Sequence, residues 1–266
     1  YIEKHLGIHY SKDDFYRLEN RLKTLTTDLN FLSVDDLFHA FEKGPTREQH
    51  EALIKVATNN ETYFFRDQKP FQALTSEMIP ELKANAPQAS LLVWSAACSS
   101  GQEPYSICMQ TKEKIPEVFP WLSVEASDIS YSVLAKARSG IYSAAELKRG
   151  VEGPLIEKYF KPHTNPDHWQ INSDLKNKVK FFEFNLLDGV YPVARYDIVL
   201  CRNVLIYHPI KNRQKILENM VMALKPGGYL LMGSGESLIG VDVDLEQKIL
   251  GGAMFFQKRL PFSKAG

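Results

Sequence analysis

The chain has 266 residues, 44% of them hydrophobic, with 32 basic and 32 acidic side chains. That length suits one large domain, or a medium one with a small companion. The charge balance excludes a global attraction to nucleic acid, and no apolar run nears the roughly 18 residues that cross a bilayer, so neither nucleic-acid binding nor direct membrane insertion is expected.

In chain order, the opening YIEKHLGIHY lacks the apolar centre of an export signal. In SKDDFYRLENRLKTL, Ser11 is placed to cap a helix whose apolar positions Phe15, Leu18, Leu22 and Leu25 follow helical steps. Ser33 starts a second helix through Phe38 and Phe41, stopped by Lys43-Gly44-Pro45, and REQHEALIKVAT forms a third. Helices without a strand signal predict a small bundle. With the aromatic linker NNETYFFRDQKPFQALT it makes residues 1–75 an N-terminal all-α domain. A further helix runs to Asn85, before the Ala86-Pro87 break.

From residue 91 strands and helices alternate. LLVWSAAC is a buried strand, PYSICMQTKEKI a helix with Pro104 in its first turn, WLSVEASDI a strand and SYSVLAKARSG a helix closed by Gly140. Later come VKFFEFNLL, YDIVLCRNVLIY, the helix KNRQKILENMVMAL, a KPGG turn into YLLMGS, and a final strand AMFFQKRL. This alternation predicts an α/β domain over residues 76–266, with a parallel sheet covered on both faces and ligands beyond the carboxyl ends of its strands. EKYFKPHTNPDHWQINSD breaks the rhythm with two aromatic runs around Thr164-Asn165-Pro166-Asp167. It reads as a β-hairpin inserted at about residues 147–180. The three cysteines, Cys98, Cys108 and Cys201, lack C-x-x-C or metal-ligand spacing and are expected as reduced core thiols of a cytoplasmic protein.

The stretch VWSAACSSGQEPYS has the strand-loop-helix layout of a nucleotide site, with one glycine, Gly101. Glu103 adds negative charge at the helix start, where a phosphate would bind. It either complements the helix dipole or meets a cationic or hydrogen-donating ligand. Asp128, ending the second strand, accepts from ribose hydroxyls or caps the next helix. Arg202, Asn203 and Tyr207 leave an apolar strand at its carboxyl end, and Asn185 ends the neighbouring strand, serving an adenine edge or its own turn. Arg66 in NNETYFFRD is suited to gripping a carboxylate. Together these describe a nucleoside that bears an amino acid and no phosphate, which fits S-adenosylmethionine.

On the motifs TNNETYFFRD, VWSAACSSGQEPYS, ASDIS, FNLLD and CRNVLIY, the chain resembles the CheR-type chemotaxis receptor methyltransferases along nearly its whole length. The resemblance implies a class I S-adenosylmethionine-dependent (Rossmann-like) methyltransferase domain, preceded by an all-α domain and carrying a small inserted antiparallel β-subdomain. It implies methyl transfer to glutamate side chains on the cytoplasmic domain of chemoreceptors by a monomer that needs no metal. Carried over by motif, Asn60, Thr62, Arg66, Glu103, Asp128, Asn185, Leu186, Asn203 and Val204 bind the cofactor. Asp128 holds the ribose, Arg66 pairs with the methionine carboxylate or orients the incoming glutamate, and Tyr207 faces the acceptor. Arg17, Arg21 and Lys23, on or near one helix face, are expected to grip acidic receptor helices. Some members tether a receptor C-terminal peptide through a glycine-rich loop of the β-subdomain. PHTNPDHWQ has no glycine, so a tether-independent enzyme is expected. The rival expectations are a methyltransferase of another acceptor and a non-catalytic module that binds the cofactor or the receptor.

Overall fold

The structure, a computed structural model, describes residues 1–87 and 89–260. The N-terminal bundle holds α1 (Ile2–Leu6), α2 (Phe15–Asp28), α3 (Val34–Glu42) and α4 (Arg47–Ala57). Ser33 starts α3 as expected, and both α3 and α4 are capped locally. Ser33 Oγ accepts from Asp36 N at 3.1 Å, and Thr46 and Gln49 make a reciprocal capping box. Ser11 acts differently. It precedes a single 3-10 turn, and its Oγ donates to Asp14 Oδ2 at 2.6 Å instead of accepting from a helix amide. Too short to show a period, α1 escaped the sequence reading; it ends on left-handed Gly7. Leu25, Leu37, Phe41 and Leu53 pack the bundle core.

A helical run follows, α5 (Gln68–Ala73), a π-helical turn and α6 (Ile79–Asn85). Then come β1 (Leu91–Ala96), α7 (Gln102–Lys114), β2 (Leu122–Asp128) and α8 (Tyr131–Ser139). The insertion region contains β3 (Ile141–Ser143), α9 (Ala144–Lys148), α10 (Gly153–Tyr159), β4 (Phe160–Pro162), β5 (His168–Ile171) and α11 (Ser173–Lys176). The chain closes with β6 (Val179–Glu183), β7 (Tyr196–Cys201), α12 (Ile210–Ala223), β8 (Leu224–Met232), β9 (Leu245–Leu250) and β10 (Ala253–Lys258).

Seven strands form one sheet in the order β6-β2-β1-β7-β8-β10-β9. The pairs from β6 to β8 are parallel, and β10 runs antiparallel to both its neighbours. Strand order reverses between β1 and β7, and a ligand crevice is expected beyond the carboxyl ends of strands at such a switch point. One face of the sheet packs Val93, Ile107, Val124 and Phe255; the other packs Trp94, Val199, Ile216 and Met220. Trp94 stacks on Tyr196 with ring centroids 5.1 Å apart. Truncating a fully buried residue such as Leu200 to alanine here would cost about 2–5 kcal/mol.

The small second sheet, ordered β3-β5-β4 and antiparallel, contains the expected hairpin as β4 and β5, while β3 precedes the expected insertion. Two other details differ from the sequence reading. The KPGG segment is part of β8, where a register shift opposite Tyr196 and Ile198 and left-handed Gly227 absorb the bend. The edge strand β9 was not foreseen, because most of its residues are exposed or half-exposed and its sequence is polar. The inserted sheet also anchors the linker. Phe64 is fully buried, with its ring edge-on to Tyr142 and Phe160, and Gly150 is required because a Cβ there would lie 1.9 Å from the Phe64 carbonyl oxygen.

Candidate cofactor and acceptor site

The turn after β1 is made without extra glycines by placing Ala97 and Ser99 in the left-handed region, at φ 56° and 49°, ahead of Gly101 at 91°. Left-handed conformations are costly for residues with a Cβ and persist only where neighbours hold them. Here Cys98 N donates to Ser127 O at 2.8 Å, Ser99 N to Asp128 Oδ2 at 2.8 Å, and Ser99 Oγ to Asn60 O at 2.9 Å. Gly101 itself is fixed by space: a Cβ would lie 2.9 Å from that of Ala137.

Glu103, in the first turn of α7, has both oxygens engaged. Oε1 accepts from Ser95 Oγ at 2.7 Å, and Oε2 from Arg202 Nη1 at 2.9 Å. Arg202, with 2% of its side chain exposed, also donates through Nη2 to Arg66 O at 2.7 Å and Asp67 Oδ2 at 2.8 Å. Its Nε is buried with no partner. The guanidinium thus ties strand β7 to helix α7 and to the linker, a role that CRNVLIY does not disclose by itself.

Asp128 is buried at the end of β2, with Oδ1 accepting from Ser130 N at 3.0 Å and Oδ2 from Ser99 N. Burial raises its carboxyl above the usual aspartate range, against the lowering effect of the amides that bond it. Each oxygen keeps acceptor capacity for a ligand hydroxyl. Asn185 Oδ1 accepts from Leu187 N at 2.9 Å, making its own turn, and its Nδ2 donates to His5 O at 3.0 Å. Asn203 is left-handed at φ 60°. Its amide donates to the buried Glu236, a residue the sequence reading missed, since nothing marks a side chain whose partners are all backbone amides.

These groups surround one cavity of about 330 Å³ beyond the carboxyl ends of β1, β2, β6 and β7. All the residues assigned to the cofactor by motif, from Asn60 in the linker to Val204 after β7, line it. The bundle closes the other side. Tyr207 lines it and accepts from Asn59 Nδ2 at 2.9 Å, and Arg66 donates to Glu61 O at 2.9 Å. Arg17 and Arg21, one turn apart on α2, face the cavity, with Arg21 donating to Val56 O at 3.0 Å. Lys23 does not join them. It lies away from the cavity lining and pairs with Glu19 at 2.7 Å along its own helix, so the expected three-residue face reduces to two. Cys98, Cys108 and Cys201 are free and buried, and burial raises each thiol.

Residues 60–251 match the family model described as CheR methyltransferase, SAM binding domain. The chain belongs to this family. The chain is 37% identical over 244 residues to a chemotaxis protein methyltransferase of Vibrio parahaemolyticus, covering 91% of this chain and 88% of that one. It is 36% identical to chemotaxis protein methyltransferase 1 of Vibrio cholerae, over 91% and 88% of the two chains. A chemotaxis protein methyltransferase of Borreliella burgdorferi is 33% identical, over 90% and 86%. This CheR-family chain is therefore an S-adenosylmethionine-dependent methyltransferase of the class I fold. The cavity suits that cofactor. Its volume lies within the range of small-molecule sites, and carboxylates and amides replace the cluster of free helix-end amides that a pyrophosphate needs. Among the described residues no group of three or more His, Cys, Asp or Glu is arranged to hold a metal, and no helix is long and apolar enough to cross a membrane.

Proposed function

We propose that this chain is a protein-glutamate O-methyltransferase that forms glutamyl methyl esters on the cytoplasmic domain of bacterial chemoreceptors during chemotactic adaptation. The convergence of linker, sheet and α2 side chains on a single cavity is the observation that carries this reading. In it Asp128 accepts from the ribose hydroxyls, while Asn60, Thr62 and Glu103 hold the amino-acid end of the cofactor. Asn185, Leu186, Asn203 and Val204 enclose the base. When bound, S-adenosylmethionine supplies a methyl group already activated by its sulfonium. A glutamate acceptor is ionised at neutral pH, with an ordinary pKa of about 4.3, so the chain needs no general base. Its task is to position and desolvate that carboxylate. Arg66 orients it from the linker, and Tyr207 borders it from the loop after β7. Arg17 and Arg21 provide the positive rim over which an acidic receptor helix lies.

The same reading divides the chain into a helical domain and linker over residues 1–75 and a methyltransferase domain over residues 76–266, acting as a cytoplasmic monomer. Residues 261–266 lie outside the described residues. The β4–β5 turn supports independence from a receptor C-terminal tether. It is short and glycine-free, with Asp167 supplying the left-handed position at φ 58°. Calorimetry with a receptor C-terminal pentapeptide should show no binding, and measurable binding would refute this part. The activity itself is tested with tritiated S-adenosylmethionine and receptor-containing membranes. Base-labile label on the receptor is expected. Base-stable label would mean nitrogen methylation, and no incorporation would mean a binding module without catalysis.

A further inference from the structure

Glu236 is buried between β8 and the loop that follows β7, outside the cavity lining. Its carboxylate accepts from five backbone amides. Oε2 takes Gly233 N at 2.7 Å and Asn203 N at 2.8 Å. Oε1 takes Leu205 N at 2.7 Å, Val204 N at 3.0 Å and Ile206 N at 3.3 Å. Among the described residues it forms no ion pair, so amide dipoles alone stabilise its charge. Four consecutive amides of one loop converge on this single group, and the loop begins at left-handed Asn203. Asn203, Val204 and Tyr207 all lie on that loop and all line the cavity.

We propose that Glu236 is a positioning residue for methyl transfer. It fixes the backbone of residues 203–206, so that Asn203 and Val204 meet the cofactor and Tyr207 meets the acceptor. The inference rests on the assignment of this cavity to the cofactor. Two features make the role specific. The carboxylate follows the carboxyl end of β8, the strand paired with β7, and reaches the loop from outside the cavity lining. Its seat also admits no bulk: a Cβ on Gly233 would lie 2.7 Å from Asn203 Nδ2, 2.9 Å from Asn203 N and 2.9 Å from Glu236 Oε2. A glutamine at 236 must turn its NH₂ toward amides that themselves donate, whichever way it flips, leaving at least two of them without an acceptor.

The test is calorimetric titration of S-adenosylhomocysteine into the unsubstituted protein, Glu236→Gln and Leu122→Ala, below all three melting temperatures, with initial rates alongside. Leu122 is a buried core residue remote from the loop and controls for loss of stability. Glu236→Gln should weaken nucleotide binding about 10- to 100-fold, the scale expected when buried amides lose their acceptor, and should lower kcat as well. Leu122→Ala should melt earlier and bind as tightly as the unsubstituted protein. A Glu236→Gln protein that melts earlier yet keeps affinity and kcat would overturn the positioning role and leave a structural one. No binding by the unsubstituted protein would instead overturn the cofactor assignment on which the inference rests. Should Glu236→Gln not fold, Glu236→Asp carries the same pair of outcomes, because it keeps the charge but withdraws the carboxylate by one methylene from the amides of residues 203–206.

Discussion

On the sheet side of the cavity, Glu103 and Asp128, with Glu236 behind the lining, are buried or nearly so, and each has both oxygens bonded to protein donors. On the bundle side, Arg17 and Arg21 are exposed and sit on a helix surface, with Arg21 making one hydrogen bond to a backbone carbonyl. The first wall is rigid before any ligand arrives, since its charges are already paid for by amides, a hydroxyl and the Arg202 guanidinium. The second presents solvated cations that steer and adapt to a partner. A fixed wall suits a small cofactor that every cycle must bind identically, and a solvated one suits a large, acidic and variable acceptor.

The sharpest way to break this comparison is Asp128→Asn. An amide NH₂ would face either Ser99 N or Ser130 N, and cofactor affinity should fall about 100-fold by calorimetry, given the usual cost of an unsatisfied buried donor. Retained affinity would mean that the sheet wall is not preorganised around this carboxylate. Arg202→Lys should follow, at about 10- to 30-fold in kcat/KM, because one ammonium cannot bridge Glu103, Asp67 and the Arg66 carbonyl together.

Acidification gives a third prediction with a defined sign. Burial raises the Asp128 carboxyl above 3.8 in the folded protein. A raised carboxyl favours the folded state most below the unfolded pKa, and that contribution is lost as pH rises through the folded value. Cofactor binding, which uses the carboxylate, should run the other way, weakening on acidification at a higher pH than an ordinary aspartate would give. Asp128→Asn should remove that pH dependence.

The smaller effects belong to the bundle wall. Arg17→Ala with Arg21→Ala should raise KM for a receptor fragment about 3- to 10-fold at low salt, with the difference shrinking as salt is added, since exposed charges are screened. Lys23→Ala should change nothing beyond about twofold, because Lys23 spends its charge on Glu19 in an exposed pair.

Much of this arrangement is legible in the sequence for physical reasons. Buried parallel strands such as LLVWSA are continuous apolar runs, so polar residues at their ends, Asp128 and Asn203 among them, stand out as site candidates. What stayed hidden depends on tertiary context. The left-handed turn at Ala97 and Ser99 exists because Asp128 and Ser127 hold it from another strand. Arg202 reads as a polar strand end, yet works as a buried tie between three segments. Glu236 sits in a small-residue stretch, GSGES, with no partner side chain to betray it. The loss of Lys23 from the α2 face was foreseeable, since at about 100° per residue it lies roughly 120° around the helix from Arg17 and roughly 160° from Arg21.

Bisubstrate initial-rate kinetics with S-adenosylmethionine and a receptor cytoplasmic fragment, run on Asp128→Asn and on the Arg17→Ala, Arg21→Ala double variant, test the two-wall account most directly. The account predicts that the aspartate variant raises KM for the cofactor and leaves that for the receptor near its normal value, with the arginine variant doing the reverse. An arginine variant that binds cofactor poorly while taking receptor normally would contradict it.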